Sequence, residues 1–157
     1  MATTQQGPTV ELENALFQLE DRLETPVVPG EMVEWCRQVQ AAFEGLRTLY
    51  EDRVRPSHER QFAAIRNEDP ALDTRTSQLA SEDEAIVVEL ERLGSILNIL
   101  ADHVDPQAET AEDLGTGEQL PELVREMLAV VIRIRTFEKA VQTWYVEAFQ
   151  RDRGVVD

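Results

Sequence analysis

Residues 72–104 read LDTRTSQLASEDEAIVVELERLGSILNILADHV. Along this stretch Leu72, Thr76, Leu79, Asp83, Ile86, Leu90, Leu93, Leu97, Leu100 and Val104 recur at alternating steps of four and three. Such spacing draws one stripe down one side of an α-helix. A helix this long with a single mostly apolar stripe needs other helices to cover it. The rest of the chain supplies them. After Pro8, the residues Leu12, Leu16, Leu19 and Leu23 form a first stripe, and Met32, Trp35, Val39, Ala42, Leu46 and Leu49 form a second. The last is Leu120, Leu123, Met127, Val130, Ile134, Phe137, Val141, Trp144 and Ala148. Breaks fall at TPVVPG (25–30), around RNEDPALD (66–73) and in an acidic stretch, 101–124, that has no Lys or Arg and reads as a solvated crossing. No alternating, strand-like stretch bounded by turn residues competes, and no internal repeat is present. The expected architecture is therefore all-α, an up-down-up-down four-helix bundle. It spans 1–157 as a single domain, with helices near 9–24, 31–66, 72–104 and 121–150.

The charge balance narrows the function. The chain carries 31 acidic and 15 basic residues, for a net charge of −16. Affinity for nucleic acid or an anionic membrane needs a basic face, so neither is expected as a partner. No apolar run is long enough to span a bilayer, and MATTQQGPTVELEN has neither the basic nor the apolar part of a signal peptide. The single cysteine, Cys36, has no internal disulfide partner. A cytoplasmic protein is the expectation. From Pro121 to Arg153 five acids meet six bases, which leaves −17 on the rest. The fourth helix thus complements its neighbours electrostatically. A protein partner, or a second copy of the chain, should dock through basic or apolar surfaces.

Two irregularities interrupt the stripes. The second heptad would continue to Arg53 and Pro56, neither of which suits an apolar seam, while Val54, His58, Phe62 and Ile65 begin a new stripe. A bend or phase shift is expected near Pro56, with His58 facing inward. The other irregularity is Asp83, a carboxylate inside the longest apolar seam. A buried carboxylate needs a partner or a raised pKa. An Arg53–Asp83 ion pair fixing helix register is the expected answer. The alternative is a metal or catalytic group assembled from His58, Glu59, Asp83 and Glu82.

The segment LASEDEAIVVELERLGSIL resembles the third helix of hemerythrin-like domains. HERQFAAI, followed by NEDPAL, is similar to the end of that family's second helix, with the aromatic at Phe62. The resemblance runs from about Leu12 to Phe149 and implies the same four-helix fold. It also implies a pair of iron atoms in the bundle core, used for oxygen handling or redox sensing. Carried over residue by residue, the third-helix histidine falls on Asp83 and the second-helix histidine at or next to Arg53. The second-helix glutamate falls on Ser57 or His58, the fourth-helix pair on Phe137 and Val141, and the first-helix position on Asn14 or Leu16. Only His58 and His103 are histidines in this chain, whereas such a site takes about five imidazoles. A ferritin-like set of Glu-x-x-His pairs fails as well, since Arg55 and Leu100 stand three residues before the two histidines.

Other chemistries find little purchase. His103 ends the third helix and reads as a C-terminal cap. Phosphotransfer through an exposed helical histidine is disfavoured by the inward position of His58. Cys36, beside the seam residue Trp35, reads as a small buried hydrophobe. Neither a phosphate-binding glycine loop nor a nucleophile elbow is present. The expectation is a non-enzymatic, cofactor-free, hemerythrin-like bundle that acts as a structural or partner-binding module. The alternative is an iron-binding oxygen or redox sensor with a reduced ligand set.

Overall fold

Four amphipathic stripes bury one another when their helices run antiparallel, and the chain folds in this way. The computed structural model describes residues 7–104 and 119–151. Its helices are α1 (Pro8–Glu24), α2 (Met32–Leu49), α3 (Arg55–Glu68), α4 (Asp73–Asp102) and α5 (Gln119–Arg151). A π-helical turn, Tyr50–Val54, joins α2 to α3 without a break, so the two form one bent rod. A 3-10 turn, Pro70–Leu72, leads into α4. Four rods result, and among the described residues there is no strand. The acidic crossing expected at 101–124 is shorter than the sequence suggests, because helix covers Ala101–Asp102 and resumes at Gln119. Its middle, 105–118, and the N-terminal residues 1–6 lie outside the described residues.

Local signals set the ends. Pro8 occupies the first turn of α1, where its missing N–H is not needed. At the other end Thr25 precedes Pro26, a pairing that disfavours helix. Both the N–H and the hydroxyl of Thr25 donate to the carbonyl of Asp21. Asp69 stops α3 ahead of Pro70, and its carboxylate accepts from the Ala71 N–H. His103 caps α4 as expected, with Nδ1 2.7 Å from the Ile99 carbonyl oxygen.

The predicted stripes form the core. Leu12, Leu16, Leu19 and Leu23 of α1 are buried, as are the α4 seam from Leu72 to Leu100 and the α5 seam from Leu120 to Val141. Leu19, Leu46, Ile86, Leu90, Leu93 and Ile134 are fully enclosed. Truncating any one of them to alanine removes apolar area and leaves a cavity, at a cost of about 2–5 kcal/mol. Cross-helix polar contacts record the antiparallel order: Arg53 with Glu11, Gln40 with Asn98, Arg92 with Glu126 and Arg133 with Glu82. Trp144 is half-buried, with the Arg75 guanidinium 4.6 Å from its ring centre. Beside it Ile65, Leu72 and Ala148 close the end of the bundle. Among the described residues no helix is long and apolar enough to cross a membrane.

The second rod departs from the predicted heptad. Ala42 and Leu49 are only half-buried, and the enclosed residues are Phe43, Leu46, Tyr50, Val54, His58, Phe62 and Ile65. Three consecutive steps of four, from Tyr50 to Phe62, overrun the α-helical period. The π turn absorbs the surplus: the Arg55 N–H reaches back five residues to the Tyr50 carbonyl. The phase shift therefore lies immediately before Pro56, whose ring would otherwise crowd the preceding turn. Beyond it α3 packs against α4 and α5, past the level at which α1 begins.

Two glycines differ in what they tolerate. Gly45 is exposed in mid-helix, and a Cβ there meets nothing within 4 Å. Gly45→Ala is expected to raise stability by about 0.5–1 kcal/mol in urea denaturation, through backbone entropy and helix propensity. At Gly94 a Cβ would stand 3.3 Å from Cε1 of the buried Phe43. The same substitution there should bring no comparable gain.

Candidate functional site: a buried tyrosine, aspartate, histidine and glutamate relay

Tyr50 continues the buried face of α2, after Val39, Phe43 and Leu46, to the centre of the bundle, and the π turn that begins there keeps His58, two turns further on, on the same inner face. From α4, Asp83 enters the core opposite them, and from α5 comes Glu138. The Tyr50 hydroxyl donates to Asp83 Oδ1 at 2.6 Å. Asp83 Oδ2 lies 3.1 Å from His58 Nδ1, and His58 Nε2 bonds to Glu138 Oε1. Four side chains from three rods thus make one continuous chain of hydrogen bonds. His58 and Asp83 are almost wholly buried, at 2% and 3% exposure, while Glu138 reaches the surface. Aromatic rings wall the histidine: Phe62 stacks at 5.9 Å, and Phe137 and Tyr50 stand edge-on at 5.3 and 6.0 Å.

The electrostatics follow from the geometry. Burial alone pushes the His58 pKa down, but hydrogen bonds to Asp83 and Glu138, with their charges, more than reverse this and raise it to about 9. His58 is therefore an imidazolium at neutral pH, donating from both nitrogens. A neutral ring would leave an unprotonated nitrogen facing one of the two carboxylates. Burial, together with the neighbouring Asp83 charge, raises the Tyr50 pKa well above its ordinary value, so Tyr50 stays a neutral donor.

Several expected residues behave differently. Arg53 does not pair with Asp83. It is half-exposed at the π turn and bonds to Glu11 of α1, because the extra residue in that turn leaves position 53 outward and brings position 54 inward. The inward position of His58 agrees with the sequence expectation. Glu59 is exposed, and Glu82 turns away to Arg133, at 2.7 Å. Cys36 is buried, and burial raises its pKa, which keeps the thiol protonated and unreactive. Tyr50 and Glu138 were not singled out from the sequence. Tyr50 stands four residues after Leu46 and four before Val54, a spacing that could have revealed it, whereas Glu138 is flanked by Arg135 and Lys139 in the manner of a surface charge.

The residues do not fit the di-iron site that the family resemblance implies. The two ring nitrogens of His58 point in opposite directions, each to a carboxylate on a different helix, so His58, Asp83 and Glu138 do not converge on one point. Among the described residues no group of three or more His, Cys, Asp or Glu side chains is placed to hold a metal ion. The positions carried over on α5, Phe137 and Val141, are apolar and buried.

Glu138 also lines a groove of about 280 Å3 between the start of α1 and α5, bordered by Leu12, Glu13, Arg135, Lys139 and Gln142. Comparison of the chain with family models, curated proteins and solved structures found no match.

Proposed function

We propose that this protein is a non-enzymatic, metal-free four-helix bundle of hemerythrin-like descent that acts as a structural or partner-binding module in the cytoplasm. The observation that carries this reading is the closed relay. Tyr50, Asp83, His58 and Glu138 are each bonded to another of the four, so the centre locks the second, third and fourth rods in register. Polar groups set in an apolar seam serve such a register role elsewhere. Descent from a hemerythrin-like ancestor is supported by the inward positions of His58 and Asp83 on facing helices. In that descent two of the ligand positions, His58 and Asp83, belong to a hydrogen-bonded core.

The surface supports the partner-binding part. Phe17, Ile99 and Ile132 are about 60% exposed on α1, α4 and α5. Net charge outside α5 is strongly acidic. Such a surface favours a basic or apolar partner protein over a second copy, whose like charge repels.

Metal content tests the reading. After expression with supplemented iron, zinc and manganese and purification without a histidine tag, mass spectrometry should find well under one metal atom per chain. Chelators should leave the melting temperature unchanged. Near-stoichiometric iron with a near-ultraviolet absorption band would overturn the metal-free bundle.

A further inference from the structure

The groove between α1 and α5 holds two polar groups of opposite sign that do not pair with each other. Glu138 gives Oε1 to His58, and its second oxygen has no hydrogen-bond partner among the described residues. The Lys139 ammonium likewise has no ion-pair partner among them, and the residue is exposed. The other charged groups of the groove are already engaged, Arg135 with Glu13 at 3.1 Å and with Glu20. As consecutive residues of α5, Glu138 and Lys139 diverge by roughly 100° around the helix and do not meet. Behind Glu138 lies the relay, walled by aromatic rings. Leu12, itself almost wholly buried, lies at the floor of the groove, and Gln142 borders it.

From this arrangement we infer that the groove binds a small zwitterion of the amino-acid type. Its ammonium donates to the free oxygen of Glu138, and its carboxylate accepts from Lys139. About 280 Å3 accommodates one such molecule. The ligand is bound and not transformed, since neither contact group is placed to attack it. The inference is independent of whether the outer surface has a protein partner.

L-leucine, isopentylamine and 4-methylpentanoate carry the same apolar tail with both charged groups, the ammonium only and the carboxylate only. Each is titrated into 15N-labelled protein at constant ionic strength and followed by amide shifts at the start of α1 and around Glu138. Leucine is expected to saturate in the millimolar range and to bind about tenfold more tightly than either fragment. Lys139→Met changes an exposed side chain outside the relay and should reduce leucine to the affinity of isopentylamine. Glu138→Gln should reduce it to that of 4-methylpentanoate. Equal affinity for all three probes, unchanged leucine binding in Lys139→Met, or no saturable shift up to about 50 mM would overturn the inference.

Discussion

Asp83→Leu is expected to destabilise the protein by about 3–5 kcal/mol, and to lower its melting temperature by roughly 10 °C. The substitution removes one partner of a buried cation, and that explains its size. His58 would keep its charge against Glu138 alone, with Nδ1–H facing a leucine, and the Tyr50 hydroxyl would lose its acceptor. Tyr50→Phe removes one donor and leaves the charge pair intact, so it should cost about 1 kcal/mol. Urea denaturation at pH 7 checks both. A loss below about 1 kcal/mol for Asp83→Leu would show that Asp83 has no buried cation to balance. If Asp83 were instead held by the exposed Arg53, its removal would resemble the loss of a surface ion pair, at about 0–1 kcal/mol.

Alkaline pH should weaken the fold through the same residue. The His58 pKa is about 9 in the folded protein against an ordinary 6.5. In the interval between these values the folded state holds a proton that the unfolded state has released. The contribution of His58 is therefore complete below about pH 6.5 and is lost as pH rises through 9, a loss of about 3 kcal/mol. Tyr50, Asp83 and Glu138 face His58 directly. Tyr50 does not ionise in this interval, since its pKa is raised. Denaturation midpoints of the wild type and His58→Gln, compared from pH 6 to pH 9.5, isolate this term. The gap between the two should shrink with rising pH, and a constant gap would place the titration elsewhere.

How much of this could be read from the sequence differs by element. The α4 seam was legible because ten positions keep one period, and nine of them are buried, with Val104 half-buried. In α2 the heptad reading chose Ala42 and Leu49 where Phe43 and Tyr50 are enclosed. Both sets fit a helix, and the packing of α2 against its neighbours chooses the second. Pro56 betrayed a disturbance without revealing its size. That Asp83 and His58 face inward followed from their spacing. Their partners did not follow, because periodicity fixes the face of a helix while the offset between rods fixes which polar groups meet. Glu138 shows the limit most clearly. Between Arg135 and Lys139 it reads as one more surface charge, and only the approach of α3 to α5 makes it a partner of His58.

The central claim is that His58 is a doubly bonded imidazolium closed off from metal, and nitrogen NMR of its ring tests this most directly. At pH 7.5 two-bond 1H–15N spectra should show both nitrogens protonated, with the ring titrating near 9 and no change on adding an equivalent of zinc or ferrous iron. An unprotonated nitrogen at that pH, or a ring signal that shifts or broadens with stoichiometric metal, would contradict the account.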